Sequence, residues 1–162
     1  MLRVENIKLD ELADALESYY EDYETFSWLD PVSGNVEFWS EGIADEAEAE
    51  GWDVEDRGGI RIDPISAHDA FRDMEEFIST VQEPSHREHL EECLAGSKPF
   101  RRFKAALRRY YPALEDDWLS FHRAAMAIHA VEWLRDNEIV DTDDAEDALA
   151  RLQAGAGERP GR

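Results

Sequence analysis

The stretch FSWLDPVSGNVEFWS, residues 26–40, decides the fold. Two short runs rich in aromatic residues flank a loop that contains Asp30-Pro31 and Gly34-Asn35. Aspartate opens a turn, proline presets φ, and glycine tolerates a positive φ. The pattern therefore predicts a β-hairpin with a loop of medium length.

Short strands and helices are predicted on either side of the hairpin. Residues 2–7 and 60–62 have the composition of short strands, and residues 41–59 form an acidic connector between hairpin and strand. Apolar residues spaced i, i+3, i+4 and i+7 indicate helices elsewhere. We predict these helices at residues 8–20 and from points near Ser66, Pro84, Pro99, Glu115, and Asp141 or Thr142.

The fold class that follows is α+β. We expect a small antiparallel sheet, made of the hairpin plus one or two short strands, packed against five or six helices. Residues 1–153 are predicted to form a single domain, since their number suits one domain. The end of the chain, residues 154–162, is rich in glycine and proline and is predicted to be a disordered tail.

The net charge of −22 is the most unusual global property. Such a charge argues against general binding to DNA or to anionic lipid, because repulsion slows encounter. Three explanations stay open: a solubilising surface, adaptation to high salt, and mimicry of nucleic acid by carboxylates. The high-salt explanation draws on the composition of the basic residues, which include only three lysines, Lys8, Lys98 and Lys104.

The compartment that we expect is the cytoplasm. Cys93 is the single cysteine, so no disulfide can form within the chain, which suits a reducing environment. The first ten residues lack the features of a signal peptide, and no apolar run has the length of a membrane span.

Several segments together resemble a known family of bacterial proteins. They are residues 29–36, 62–66, 71–78, 100–104, 118–121 and 130–134, and Phe-x-Arg-Phe-Lys at 100–104 is the most specific of them. The set is similar to uncharacterised protein family 0158 over roughly residues 8–139. This resemblance implies an α+β cytoplasmic domain and implies no particular activity.

A basic helix is the first candidate site. Its cations are Arg101, Arg102, Lys104, Arg108 and Arg109, five of the 17 basic residues in the chain. On a helix, Arg101, Lys104 and Arg108 share one face. Two interpretations stay open. The face binds phosphate, RNA or an acidic partner through charge-assisted hydrogen bonds, or it neutralises the carboxylates of the protein itself, such as those at residues 115–117.

The aromatic residues of the hairpin are the second candidate site. Trp28, Phe38 and Trp39 are divided between the two faces of the hairpin. Aromatic residues on both faces are more than one small core requires. One face is therefore predicted to meet a ligand or partner. Packing in the core or in an oligomer is the alternative.

No pattern of catalytic or metal-ligating residues accompanies these candidates. His86, His89 and Cys93 have helical spacing, but a zinc site needs a fourth ligand, and we predict no metal, cofactor or catalytic residue. The preferred hypothesis is a non-enzymatic binding or adaptor protein. The alternatives are an enzyme acting on a phosphate-bearing substrate, with Arg101, Arg102 and Lys104 as anion clamps, and an acidic nucleic-acid mimic.

Overall fold

The α+β prediction is confirmed by a computed structural model of the protein, which describes residues 1–157. Within those residues lie seven α-helices and one antiparallel sheet of three strands. The helices are α1 (Leu9–Glu17), α2 (Glu41–Glu50), α3 (Ala67–Ser79), α4 (Pro84–Ala95), α5 (Pro99–Tyr110), α6 (Pro112–Asp136) and α7 (Thr142–Gly157). The strands are β1 (Phe26–Leu29), β2 (Val36–Trp39) and β3 (Ile60–Ile62).

The predicted hairpin is present, and its turn forms as the local chemistry requires. The Asp30 carboxylate accepts a hydrogen bond of 2.9 Å from the Val32 N–H. Gly34 has a φ of +80°, and its N–H donates to the Asp30 carbonyl at 2.8 Å. The strand order is β2-β1-β3, so the first hairpin strand is central and β2 is an edge.

Two segments differ from the sequence-based prediction. Residues 2–7 were predicted as a strand, but Leu2 makes only an isolated bridge to Val140, and Val4–Asn6 form a 3-10 turn. The Asn6 side chain accepts the Arg3 N–H at 2.9 Å and so closes that turn. The predicted acidic connector contains α2, a helix that brings the number of helices to seven in the described chain.

Helix α2 forms because its residues favour it despite their charge. Alanine and glutamate are strong helix formers and supply most of Glu41–Glu50. Gly51, with a φ of +83°, ends the helix, and the Trp52 N–H donates to the Ala47 carbonyl at 3.0 Å. This is the glycine-based helix end that commonly satisfies the last carbonyl groups.

The chain divides into two compact units. The first comprises Met1–Ile65 and Met126–Ala154. Its core joins one face of the sheet to α1, to the end of α6 and to α7, and its fully buried residues include Leu12, Leu29, Ala130, Val131, Leu134 and Ala145. The single-domain prediction for residues 1–153 stays a prediction. Residues 158–162 of the predicted tail lie outside the described residues.

The second unit is built on Ser66–Ala125. Phe77 is central to its core, and its ring centroid lies 6.3 Å from that of Phe103 and 5.4 Å from that of Trp118. The predicted cap of α3 is present, since Ser66 Oγ accepts the Asp69 N–H at 3.1 Å. Burial of Phe103 fixes which face of α5 turns inward.

None of the helices in residues 1–157 combines the length and the apolar character needed to cross a bilayer.

Candidate functional site

Helix α5 presents its basic residues to solvent because its apolar residues are taken by the core. Phe103, Ala106 and Leu107 are buried, whereas Arg101, Lys104 and Arg108 are exposed. The helix contains no acidic residue. We call the side of α5 that carries Arg101, Lys104 and Arg108 the basic face.

Two cations at the C-terminal end of α5 have neighbours within the second unit. Arg108 Nε lies 3.6 Å from Glu115 Oε2, and the two side chains are 80% and 31% exposed. An ion pair that is so exposed to solvent contributes little to stability. The Arg109 guanidinium lies 5.3 Å from the centroid of the Tyr110 ring. Self-neutralisation is thus seen for Arg108, through the carboxylate of Glu115.

Arg102 is held by the loop that precedes the helix. A Cβ atom placed on Gly96 would lie 2.0 Å from Arg102 Nη1, so the guanidinium packs directly over that glycine. Arg102 is exposed, but its charged end lies against the α4–α5 connection. Its side chain therefore has a packing role that the sequence did not reveal.

Arg101 and Lys104 differ from the other cations of the helix. Within residues 1–157, neither side chain has a carboxylate oxygen within 4.0 Å. They are exposed and three residues apart, which places them on adjacent turns of one helix face. The structure thus leaves two positive charges of the basic face available to an external anion.

A cluster of imidazole and phenol rings lies at the end of α5, and sequence reasoning missed it. His89 Nδ1 is 2.7 Å from the Tyr111 hydroxyl, and the His86 ring centroid is 4.5 Å from that of Tyr111. The spacing of the histidines was visible, but nothing local indicated their tyrosine partner. Cys93 is buried in the core, and in the described part of the chain no group of three or more side chains is arranged to hold a metal ion.

The three hairpin aromatics are not brought together. Trp28 is 2% exposed and so belongs to the interior rather than to an exposed aromatic surface. It shares one face of the sheet with Trp39, and both rings lie near Trp52, at 6.4 and 5.5 Å between centroids. Phe38 is on the opposite face, 44% exposed and 5.6 Å from the Tyr20 ring. A binding role for Phe38 and Trp39 stays a prediction.

Comparison with known proteins agrees with the resemblance and extends it. A family model described as "Uncharacterised protein family (UPF0158)" matches residues 2–152. A Pseudomonas aeruginosa protein, described as UPF0158 protein PA5073, is 33% identical over 138 residues, which cover 85% of this chain and 87% of the relative. No solved structure matches. The chain therefore belongs to the uncharacterised protein family UPF0158.

Proposed function

We propose that this protein is a non-enzymatic binding module of the cytoplasm that takes an anionic partner on the basic face of α5. One observation carries the proposal. In a chain with a net charge of −22, a helix without any acidic residue bears five cations. Two of them, Arg101 and Lys104, have no carboxylate within 4.0 Å in the described chain.

The chemistry of the face suits phosphate or carboxylate groups. A guanidinium and an ammonium one turn apart donate charge-assisted hydrogen bonds to oxygens about 5 Å apart along the helix axis. Arginine supplies a rigid fork and lysine a mobile point charge, so together they tolerate some variation in the anion.

The surrounding negative charge favours selective binding of a short anionic segment. A long polyanion would extend beyond the basic face and be repelled by the acidic remainder of the surface. This repulsion acts over distances up to about 8 Å at physiological ionic strength and is screened beyond that distance. An acidic or phosphorylated segment of a partner protein avoids that repulsion. We therefore propose a protein partner, with RNA as the alternative that the experiment distinguishes.

Binding is favoured over catalysis by what accompanies the cations. An enzyme acting on a phosphate-bearing substrate needs a titratable group positioned beside its anion clamp. Pro99–Tyr110 contains no histidine, aspartate or glutamate, and the nearby Glu115 and His89 lie beside Arg108 and Tyr110 at the C-terminal end of the helix, not beside Arg101. The guanidinium of Arg102, one of the three residues predicted as anion clamps, packs over Gly96.

The test is a pull-down from native cytoplasm with a matched control. The test variant is Arg101→Glu/Lys104→Glu. The control variant is Arg72→Glu/Arg123→Glu, which changes the net charge equally at exposed helical positions of the same unit. We expect the partner to be retained by the wild type and the control and lost by the test variant. Each charge-assisted contact contributes about 1.5–3 kcal/mol, so the Kd of the partner for the test variant should be at least about tenfold higher than for the wild type.

Circular dichroism of both variants establishes that they are folded. Equal loss of the partner in both variants would mean that only total charge matters and would contradict a site on α5. Retention by both would place the contact elsewhere. If the wild type and the control recover RNA and the test variant does not, the basic face is supported and its partner is a nucleic acid.

A further inference from the structure

The edge of strand β2 is open for pairing with another strand. In an antiparallel pair, residues alternate between hydrogen-bonded and non-hydrogen-bonded positions. The Asp30 N–H donates to the Asn35 carbonyl at 3.0 Å, so Glu37 bonds to β1 and the backbone groups of Val36 and Phe38 point away from it. No other residue in 1–157 hydrogen-bonds these outward groups.

A groove runs beside this edge within the first unit. It has a volume of about 330 Å³ and lies between α1 and β2. Glu11 and Asp14 of α1 and Ser18, which follows the helix, line it on one side, and the side chains of Val36 and Phe38 line it from the strand. The same two residues thus offer backbone groups at the edge and side chains to the groove.

The groove is negatively charged and poorly neutralised. Asp14 has no cationic group within 4.0 Å among the described side chains. Within residues 1–157, the cationic neighbour of Glu11 is Lys8, at 3.9 Å, and both of those side chains are at least half exposed. Carboxylates in this state favour a partner that carries positive charge.

We infer that the edge of β2 accepts an extended, lysine- or arginine-rich segment of a partner protein as a fourth strand of the sheet. Backbone hydrogen bonds to Val36 and Phe38 hold the segment, as in other cases of strand addition. Residues paired with Val36 and Phe38 direct their side chains to the groove, where Glu11 and Asp14 meet basic groups. This surface is distinct from the basic face of α5 and has the opposite charge.

A second copy of this chain is a poorer occupant of the same edge. Antiparallel pairing of β2 with its own copy, through Val36 and Phe38, would place Glu37 directly opposite Glu37. Like charges directly opposite each other destabilise a strand pair. Two chains that each carry a net charge of −22 would also repel one another on approach.

The experiment uses a fluorescein-labelled peptide of nine residues that alternates lysine with threonine. Its binding to the full chain is measured by fluorescence anisotropy. A second peptide has the same sequence with N-methyl groups on the lysine amides, which preserves charge and removes the donors that face β2. We expect the unmodified peptide to bind and the methylated peptide to bind at least about tenfold more weakly, because strand pairing depends on backbone donors.

Two protein variants complete the design. Glu11→Gln/Asp14→Asn should weaken binding of the unmodified peptide at least about fivefold, since it removes both carboxylates that α1 contributes to the groove. Asp45→Asn/Glu46→Gln removes the same charge from exposed positions of α2 and should leave binding unchanged. Equal binding of the two peptides, or equal weakening by the two variants, would overturn the inference. So would sedimentation equilibrium showing that β2 is occupied by a second copy, as a dimer abolished by Phe38→Pro.

Discussion

The substitution Gly59→Ala tests how the residues that precede β3 pack on the sheet. An alanine Cβ at this position would lie 2.5 Å from Cε3 of Trp28 and 2.5 Å from Cγ1 of Val54. Carbon atoms in contact are normally about 3.5–4.0 Å apart, so the methyl group overlaps its neighbours by about 1 Å on two sides. Trp28 is 2% exposed and central in the sheet, so its ring has no space to withdraw.

The expected cost is that of overpacking a buried site. Inserting one methyl group into a well-packed core costs about 1–3 kcal/mol. Urea denaturation, followed by tryptophan fluorescence and by circular dichroism, should show the free energy of unfolding lowered by that amount. Gly42→Ala is the matched control, because nothing lies within 4 Å of its added Cβ in α2. The control should leave stability unchanged or raise it by up to about 1 kcal/mol.

A Gly59→Ala variant within about 0.5 kcal/mol of the wild type would refute the reasoning. It would mean that the segment around Val54 does not pack closely on Trp28. A lowered free energy of unfolding for both variants would also refute it, since the control adds a methyl group in open space.

Two further predictions concern charged groups. Asp144 accepts the Val4 N–H at 2.7 Å and an Arg3 N–H at 3.1 Å, so Asp144→Ala should lower the free energy of unfolding by about 1–3 kcal/mol. Asp147→Ala, at an exposed position of α7, should change it by less than about 0.5 kcal/mol in the same denaturation experiment, and equal losses would contradict a specific role for Asp144. Because salt screens self-repulsion in a chain with a net charge of −22, the free energy of unfolding should be higher in molar potassium chloride than in dilute buffer. Stability in dilute buffer that equals or exceeds stability in molar salt would argue against high-salt adaptation.

Local chemistry explains which parts of the fold the sequence predicted. Asp30 and Gly34 form the hairpin turn through bonds between residues at most four apart. Ser66 caps α3 through the N–H three residues later, and Pro84 and Pro99 stand in the first turns of α4 and α5. Signals of this kind act within one turn of the chain, so they can be read without the rest of the molecule.

The local errors also have a physical cause. The acidity of residues 41–59 suggested an irregular connector, whereas the helix propensity of alanine and glutamate produced α2. Residues 2–7 resemble a strand in composition, but a strand exists only where a neighbour pairs with it. Leu2 finds a single bridge to Val140, more than a hundred residues away in sequence.

The sequence by itself determined the fold class, the positions of the hairpin and of most helices, and the identity of the basic helix, because these follow from periodicity, turn chemistry and composition. Only the tertiary structure decided the state of each candidate residue. Packing buries Trp28, the guanidinium of Arg102 packs over Gly96, and Glu115 forms an ion pair with Arg108. The open edge of β2 was equally hidden, since the order of strands in a sheet depends on contacts between residues far apart in the chain.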